Sequence, residues 1–568
     1  MMRPLILAAA TLLAACTPSA PPQSAAPAGT QYQERQAFLA AAHPLAVEAG
    51  LDVLRRGGNA VDAAVAVQTM LGLVEPQSSG LGGGAFMVHY DATTTAVTVY
   101  DGREVAPRGA TPDMFLDDGG QPLPFRTAVL SGRATGVPGA VAMLALAQKQ
   151  HGKLPWRDLF GEAERVAREG FTVTKRMEHF VQGPYPQSNA PDVVRYFSDG
   201  RGGKVRAGDT LKNPAYAAFV RRLASEGPDA LYRGETAKRI VERLRDGDLA
   251  SSMSEADLAS YKPVVRQALC GSYRVYILCV PPPPSSGVGL LQLMAMVERT
   301  DIAARGPDDP VAWVQYAEAS RLMYADRDAY VGDVANVPVR GLLDPAYIAS
   351  RASLIGDHAG PAPQAGTPPG AVTARIDATE EVAGTSHFVI IDGEGNAVSM
   401  TTTVESFFGS GRMVDGFFLN NQMTDFSFVP KGPNAIAPGK RPRSSMTPTI
   451  ILNRDRSLAG AIGSPGGNAI LGYVSKALIG AIDWNLPMKD AFALPNLIAR
   501  GDSFAGEESR FAPTLRAEMA RRGVTVRAGS GEDSGLHGVL IREGGRFDGA
   551  ADARRDGVAK TVRLRENR

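Results

Sequence analysis

The sequence predicts an α+β protein made of mixed layers of sheet and helix. Three observations carry this: two apolar helical segments ahead of a glycine-rich loop near the start, a long helical middle, and late strands that arrive as hairpins before a buried helix. None of this follows the βαβ rhythm of a parallel sheet.

Taken in order, Arg3 precedes an apolar run at 5–15, then Cys16, then a stretch rich in Thr, Pro, Ser, Ala and Gln that ends near Thr30. The run is too short to span a bilayer and reads as a targeting segment. Leu13-Ala14-Ala15-Cys16 resembles a bacterial lipobox. Residues 1–16 are therefore expected to be a lipoprotein signal with Cys16 as the lipidated residue, and 17–35 a disordered tether. An ordinary secretory peptide is the alternative, and both imply an exported protein anchored to or released from a membrane.

His43-Pro44 opens a helix with Leu45, Ala49, Val53 and Leu54 on one face, closed by Gly57-Gly58. Asn59 caps a second helix at 60–73, apolar almost all round and hence expected to be buried. Ser78-Ser79-Gly80-Leu81-Gly82-Gly83-Gly84 then feeds a strand at 86–90. A phosphate loop would continue with Lys-Ser/Thr, which is missing, so these glycines are expected to serve close backbone packing. Amphipathic helices follow at 140–150, 215–226, 236–245 and 311–325, interrupted by a hairpin-like segment around 270–274. Cys270 and Cys279 on that segment are read as free thiols on neighbouring strands, with a bridge as the alternative in an oxidising compartment. A linker rich in Pro, Gly and Ala at 357–374, with the charged stretch 377–381, is expected to be exposed and mobile. Strands at 385–391 and 397–404 then flank the turn Asp392-Gly393-Glu394-Gly395-Asn396. Further strands at 446–452 and 458–462 lead to a buried helix at 469–482.

Composition narrows the functions. With 44% apolar and 21% charged residues the chain has a real core and is neither disordered nor a polytopic membrane protein. A net charge of +1 without a basic run gives no footprint for nucleic acid. Seven scattered histidines and no HExxH or paired-cysteine spacing give no support for a metal, and nothing calls for a cofactor. The length of 568 residues suits one large unit or two tightly joined halves.

Gly384-Thr385-Ser386-His387-Phe388, continuing through Asp392, Gly395-Asn396 and Thr401-Thr402-Thr403, resembles the start of the small subunit of γ-glutamyltransferases. Separated blocks extend the resemblance over nearly all of the mature chain. They are Val74-Glu75-Pro76 with the glycine loop, Gly102-Arg103-Glu104-Val105-Ala106-Pro107, Leu419-Asn420-Asn421-Gln422-Met423-Thr424-Asp425-Phe426, Lys440-Arg441-Pro442-Arg443-Ser444-Ser445-Met446 and Gly463-Ser464-Pro465-Gly466-Gly467. The family implies the four-layer αββα sandwich of the N-terminal-nucleophile hydrolases. It also implies a large subunit at 36–384 and a small, catalytic one at 385–568, both from one precursor cut between Gly384 and Thr385.

The chemistry fits those residue types. An N-terminal threonine brings its own base, a free α-amine whose ordinary pKa is near ~8. That amine exists only after the bond before it is broken, by attack of the Thr385 hydroxyl on the Gly384 carbonyl. The resemblance implies that Thr403 orients the Thr385 hydroxyl and that backbone N–H groups of Gly466 and Gly467 hold the oxyanion. It further implies that Arg103, Ser444 and Ser445 bind the donor carboxylate, that Asp425 and Glu405 accept from its ammonium, and that Gln422 also belongs to the substrate site. Strand alternation is expected to put Thr403 and Glu405 on one face, while His387 is expected to be structural. The implied donors are glutathione or other γ-glutamyl compounds, and the acceptors water, amino acids or peptides. Two departures stand out: Glu405 where the family often has asparagine, and a short 426–440 segment without the longer lid loop of many members. The rival readings are a glutaryl- or cephalosporin-type acylase and a non-catalytic peptide-binding lipoprotein.

Overall fold

The computed structural model describes residues 33–372, 377, 379, 384–529 and 534–566. The signal segment, Cys16, most of the tether, and Glu380 and Glu381 lie outside the described residues. Gln33 to Arg35, assigned above to the tether, already belong to a strand, Gln33–Ala41, paired with Val558–Glu566.

Two sheets lie face to face. One runs Val558–Glu566, Gln33–Ala41, Gly384–Ile391, Ala397–Glu405, Gly84–Tyr90, Val97–Gly102, Val264–Gln267. The other runs Arg546–Ala551, His537–Arg542, Leu458–Gly463, Thr449–Asn453, Tyr276–Val280, Leu269–Tyr273. Every pairing within them is antiparallel.

Alternation along Gly384–Ile391 sets the layers. Phe388 and Ile390 join an outer core with Val61 and Met70 of helix Ala60–Val74. Val389 and Ile391 face inward, where Phe38, Phe86 and Val88 meet Ile450, Ile462 and Val539. Helices Gly287–Val297, Pro310–Tyr330 and Ile470–Leu478 contribute Leu290, Trp313 and Leu471 to that same second core, covering the other sheet. The result is the four-layer αββα arrangement.

Local signals work as the sequence implies. Helix Ala60–Val74 is buried at every position, and Asn59 and Asp62 close a capping box at its start. Its Ala60 N–H also donates to Asp392 Oδ2, tying the turn of the Gly384–Glu405 hairpin to the helix. The glycine loop does serve close packing. A Cβ on Gly83 would lie 2.0 Å from the Thr403 carbonyl oxygen, and one on Gly82 2.2 Å from that of Phe418.

The hairpin expected around 270–274 is present as Leu269–Tyr273 paired with Tyr276–Val280 in the second sheet, while Val264–Gln267 just before it edges the first, so the chain changes sheet at Ala268. The turn falls at Arg274-Val275, with Arg274 at φ +52°. Three expectations are corrected. Cys270 and Cys279 are not free thiols but a disulfide, because the register places them directly opposite each other with Cα atoms 4.1 Å apart. The expected helix at 469–482 is a 3₁₀ turn, Gly467–Ala469, then helix Ile470–Leu478 and a π turn, Ile479–Asp483. Asp377, expected in an exposed stretch, is buried. Its carboxylate accepts from Asn434 and pairs with Arg443 at 3.1 Å, and its N–H donates to the Asp328 carbonyl.

Candidate active site

Gly384 and Thr385 open a central strand of the first sheet, opposite Glu405 and Thr403. The Thr403 hydroxyl donates to the Gly384 carbonyl at 2.7 Å and lies 3.1 Å from the Thr385 hydroxyl. One hydroxyl carries one proton, so with Thr403 donating to the carbonyl, Thr385 donates to Thr403. The Glu405 N–H also donates to Thr403 Oγ1, at 2.8 Å. Thr403 thus polarises the Gly384 carbonyl while accepting from the hydroxyl next to it. Only glycine fits at 384, where a Cβ would sit 2.4 Å from the Ser406 carbonyl oxygen and 2.5 Å from that of Glu405.

Simple alternation does not carry Thr403 and Glu405 together. A β-bulge separates them and Glu405 takes φ +79°, a left-handed conformation costly for a side chain. The bulge sends the Glu405 carboxyl toward Asn421 and Ser406, both of which donate to its Oε2, the Ser406 bond being 2.6 Å. Burial pushes this carboxyl well above the usual range, Asp425 adds to the rise, and the Ser406 and Asn421 donors oppose it.

Asp425 joins the blocks. Arg103 Nη2 donates to Asp425 Oδ2 at 2.5 Å and to the Arg443 carbonyl at 2.7 Å, while Gln422 donates to the same Asp425 oxygen. Arg103 and Asp425, expected on opposite charges of a donor, here pair with each other. The Gln422 Oε1 atom is buried with no hydrogen-bond partner among the described residues and is an acceptor beside them. Ser444 is stitched into the backbone by bonds to Pro284 and Ser286, and the Ser445 hydroxyl accepts from Arg327 at 2.7 Å. These ties explain why the following strand begins at Thr449 instead of 446.

Gly466 and Gly467 have φ +136° and +52°, which leave the loop after strand Leu458–Gly463 free to turn sharply into the 3₁₀ turn and helix. Gly463, where the loop starts, packs on His387: a Cβ there would be 2.3 Å from His387 Cε1. His387 is fully buried and bonds Thr401 through Nδ1 at 2.9 Å. Burial, reinforced by His537, holds its pKa well below the usual value, so it is a neutral structural group.

Several site residues were not anticipated. Asn421 and Ser406 hold Glu405, Arg327 holds Ser445, and Arg555 donates to the Thr385 carbonyl at 3.0 Å. Glu104 is fully buried against Arg103, 3.6 Å away, and burial pushes its carboxyl up to about 8 against the pull of that arginine.

A threonine opening the hairpin of an αββα sandwich is the layout of the N-terminal-nucleophile hydrolase fold. A family model described as Gamma-glutamyltranspeptidase matches residues 46–562, and the chain belongs to the γ-glutamyltranspeptidase family. It is similar to the glutathione hydrolase proenzyme of Bacillus subtilis (strain 168), 36% identical, with 94% of this chain and 92% of that one covered. The Escherichia coli (strain K12) glutathione hydrolase proenzyme is 34% identical, with 97% and 96% covered. Among solved structures, the cephalosporin acylase from Bacillus halodurans superposes with a TM-score of 0.81 at 25% identity, covering 95% and 98%.

Proposed function

We propose that this chain is a precursor that cuts itself between Gly384 and Thr385 and then, as large (36–384) and small (385–568) subunits, cleaves γ-glutamyl amides such as glutathione. The observation that carries the reading is the hydroxyl relay from Thr385 to Thr403 to the Gly384 carbonyl. In the cut, the Thr385 oxygen attacks the Gly384 carbonyl carbon and the C–N bond breaks. As Thr403 takes the Thr385 proton it passes its own to the carbonyl oxygen, and on collapse the relay runs back and delivers one proton to the leaving nitrogen. Water then hydrolyses the ester, leaving a Gly384 carboxylate and a Thr385 free at both hydroxyl and amine.

In turnover, the Thr385 amine takes the proton of its own hydroxyl, which attacks the γ-carbonyl of the donor. Gly466 and Gly467 N–H groups stabilise the oxyanion, and the γ-glutamyl-Thr385 ester passes to water or to an amino-acid or peptide amine. The donor's α-carboxylate replaces Asp425 as the partner of Arg103, with Ser444 and Ser445 alongside. Its ammonium takes Asp425, Glu405 and Gln422 Oε1 as acceptors. Three acceptors gathered at one point favour a donor with an α-ammonium over the glutaryl group of an acylase, whose pocket would bury them unpaired. The short 426–440 segment favours an open cleft and hydrolysis over transfer to small acceptors.

We also propose that the protein is exported and anchored through a lipidated Cys16; the Cys270–Cys279 disulfide fits an oxidising compartment. The functional test is a denaturing gel with N-terminal sequencing, beside turnover of γ-glutamyl and glutaryl anilides, for wild type and Thr385→Ala. Two fragments, the smaller beginning at Thr385, with γ-glutamyl turnover only in wild type, are expected. A mutant still cut at this bond, or a preference for the glutaryl substrate, refutes the reading.

A further inference from the structure

A few residues ahead of Gly384, the chain joining the two proposed subunits is fixed to the body of the protein at Asp377. Its N–H donates to the Asp328 carbonyl at 3.0 Å, near the end of helix Pro310–Tyr330. Its Oδ2 accepts from Asn434 Nδ2 at 2.9 Å and pairs with Arg443 Nη2 at 3.1 Å. Its Oδ1 accepts from the Thr379 N–H at 3.1 Å and from the Thr379 hydroxyl at 2.5 Å. Asp377 and Arg443 are both buried. Burial alone would push the Asp377 carboxyl up, but Arg443 and the Thr379 and Asn434 donors outweigh it and hold the group below its ordinary value, so it is charged.

The partners of this carboxylate also build the candidate site. Asn434 Nδ2 donates to the Asp425 carbonyl at 2.7 Å, and Asn434 Oδ1 accepts from the Arg443 N–H at 2.9 Å. The Arg443 carbonyl in turn accepts from Arg103. Two residues on from Asp377, the Thr379 carbonyl lies 3.5 Å from Nδ2 of Asn468, the neighbour of Gly467.

We propose that Asp377 is a positioning residue for maturation: it anchors the linker to Arg443 and Asn434, so that Gly384 is presented to Thr385 and Thr403 until the bond is cut. The inference rests on the function proposed above, because it concerns the cut, and gives Asp377 no part in turnover. An anchor of this kind acts through chain entropy, since the cost of bringing two points of a chain together rises with the logarithm of the span between them. Upstream, Gly366 is held through its N–H by Asp326 at 2.8 Å and through its carbonyl by the Tyr330 hydroxyl at 2.6 Å. Asp377 shortens the span that ends at Gly384 from about eighteen residues, counted from Gly366, to about seven, which favours presentation roughly fourfold. After the cut Gly384 is a chain end and no longer has to be presented, so the anchor has nothing left to position.

The test follows loss of the intact band with time in freshly synthesised wild type, Asp377→Asn and Asp377→Ala, then kcat/KM for a γ-glutamyl anilide once each is fully cut. The alanine and asparagine variants are expected to mature about fourfold more slowly and then to turn over within twofold of wild type. Maturation within about 1.5-fold of wild type overturns the proposal, as does a mature kcat/KM that falls in step with maturation, which a purely structural ion pair would give. An insertion pair keeps Asp377 in place and decides the matter should the variants fail to fold. Eight Gly/Ser residues added after Thr379 should slow maturation about threefold, whereas the same insert after Val372, upstream of the anchor, should leave it unchanged. Equal slowing by both inserts overturns the anchor. Wild type left uncut before Thr385 would instead refute the underlying function, and the inference with it.

Discussion

Replacing Thr403 by valine keeps the shape of the side chain and removes one oxygen. That oxygen serves three buried groups: the Gly384 carbonyl, the Thr385 hydroxyl and the Glu405 N–H. Each group left unpaired costs about 1–3 kcal/mol, and because all three share one atom the combined loss in precursor stability is expected at about 3–5 kcal/mol. For the cut, the missing donor is the one on the carbonyl that becomes the oxyanion, a role worth about 3–4 kcal/mol, or ~10²–10³ in rate. The rate is read as loss of intact band against time on a denaturing gel. Stability is read by denaturant unfolding in a Thr385→Ala background, where neither protein is cut and the two groups that remain, the Gly384 carbonyl and the Glu405 N–H, account for about 2–4 kcal/mol. Thr403→Ser, which keeps the hydroxyl, should restore most of the rate. Maturation of Thr403→Val within about threefold of wild type would refute the relay, as would a serine variant no better than valine.

Gly384→Ala should leave the intact chain uncut and lower its stability by about 1–3 kcal/mol, since the added Cβ falls 2.4 Å from the Ser406 carbonyl; thermal melting and the gel check both. Glu104 keeps its proton in the folded state up to about 8 and releases it in the unfolded chain above its ordinary value of 4.5. Its contribution is therefore complete below that lower value and lost as pH rises to about 8, so Glu104→Gln should gain stability relative to wild type over this window, by at most about 1.4 kcal/mol per pH unit. A stability difference that does not change with pH would remove Glu104 as a titrating group. Asp425→Asn should raise KM for a γ-glutamyl donor by tenfold or more, ~1.4 kcal/mol or above, and narrow the preference over a glutaryl donor; competition between the two anilides measures it. Reducing the Cys270–Cys279 bridge should cost at most about 2–3 kcal/mol, for a loop with a sequence separation of 9, with turnover retained.

What the sequence made legible was mostly short-range. The Asn59 cap, the buried helix after it, the close-packed glycines and the hairpin at Thr385 all have signals a few residues wide, and all are present. The blocks around Arg103, Asp425 and Ser444 could be read only together, by resemblance, because no local pattern says that they meet. The missed features are those where distant segments decide. Arg555 reaches Thr385 from 170 residues away, and Arg327 reaches Ser445 from 118. The bulge at Glu405 leaves no mark in the run Thr401-Thr402-Thr403-Val404-Glu405-Ser406, which holds no glycine or proline to announce it. Pairing of Cys270 with Cys279 depended on the exact register of the hairpin, where a slip of one residue would have turned the thiols to opposite faces.

The two sheets are woven from both sides of the proposed cut. In the first, strands Gly384–Ile391 and Ala397–Glu405 lie between Gln33–Ala41 and Gly84–Tyr90, and Val558–Glu566 closes the far edge beyond Gln33–Ala41. In the second, Thr449–Asn453 pairs with Tyr276–Val280. Scission therefore changes the covalent chain without freeing either piece, since neither piece holds a complete sheet. It does change the way back. Before the cut the halves find each other within one molecule, whereas afterward they meet only by diffusion. Recovery from denaturant then becomes second order, and dilution alone can make loss of the mature enzyme permanent.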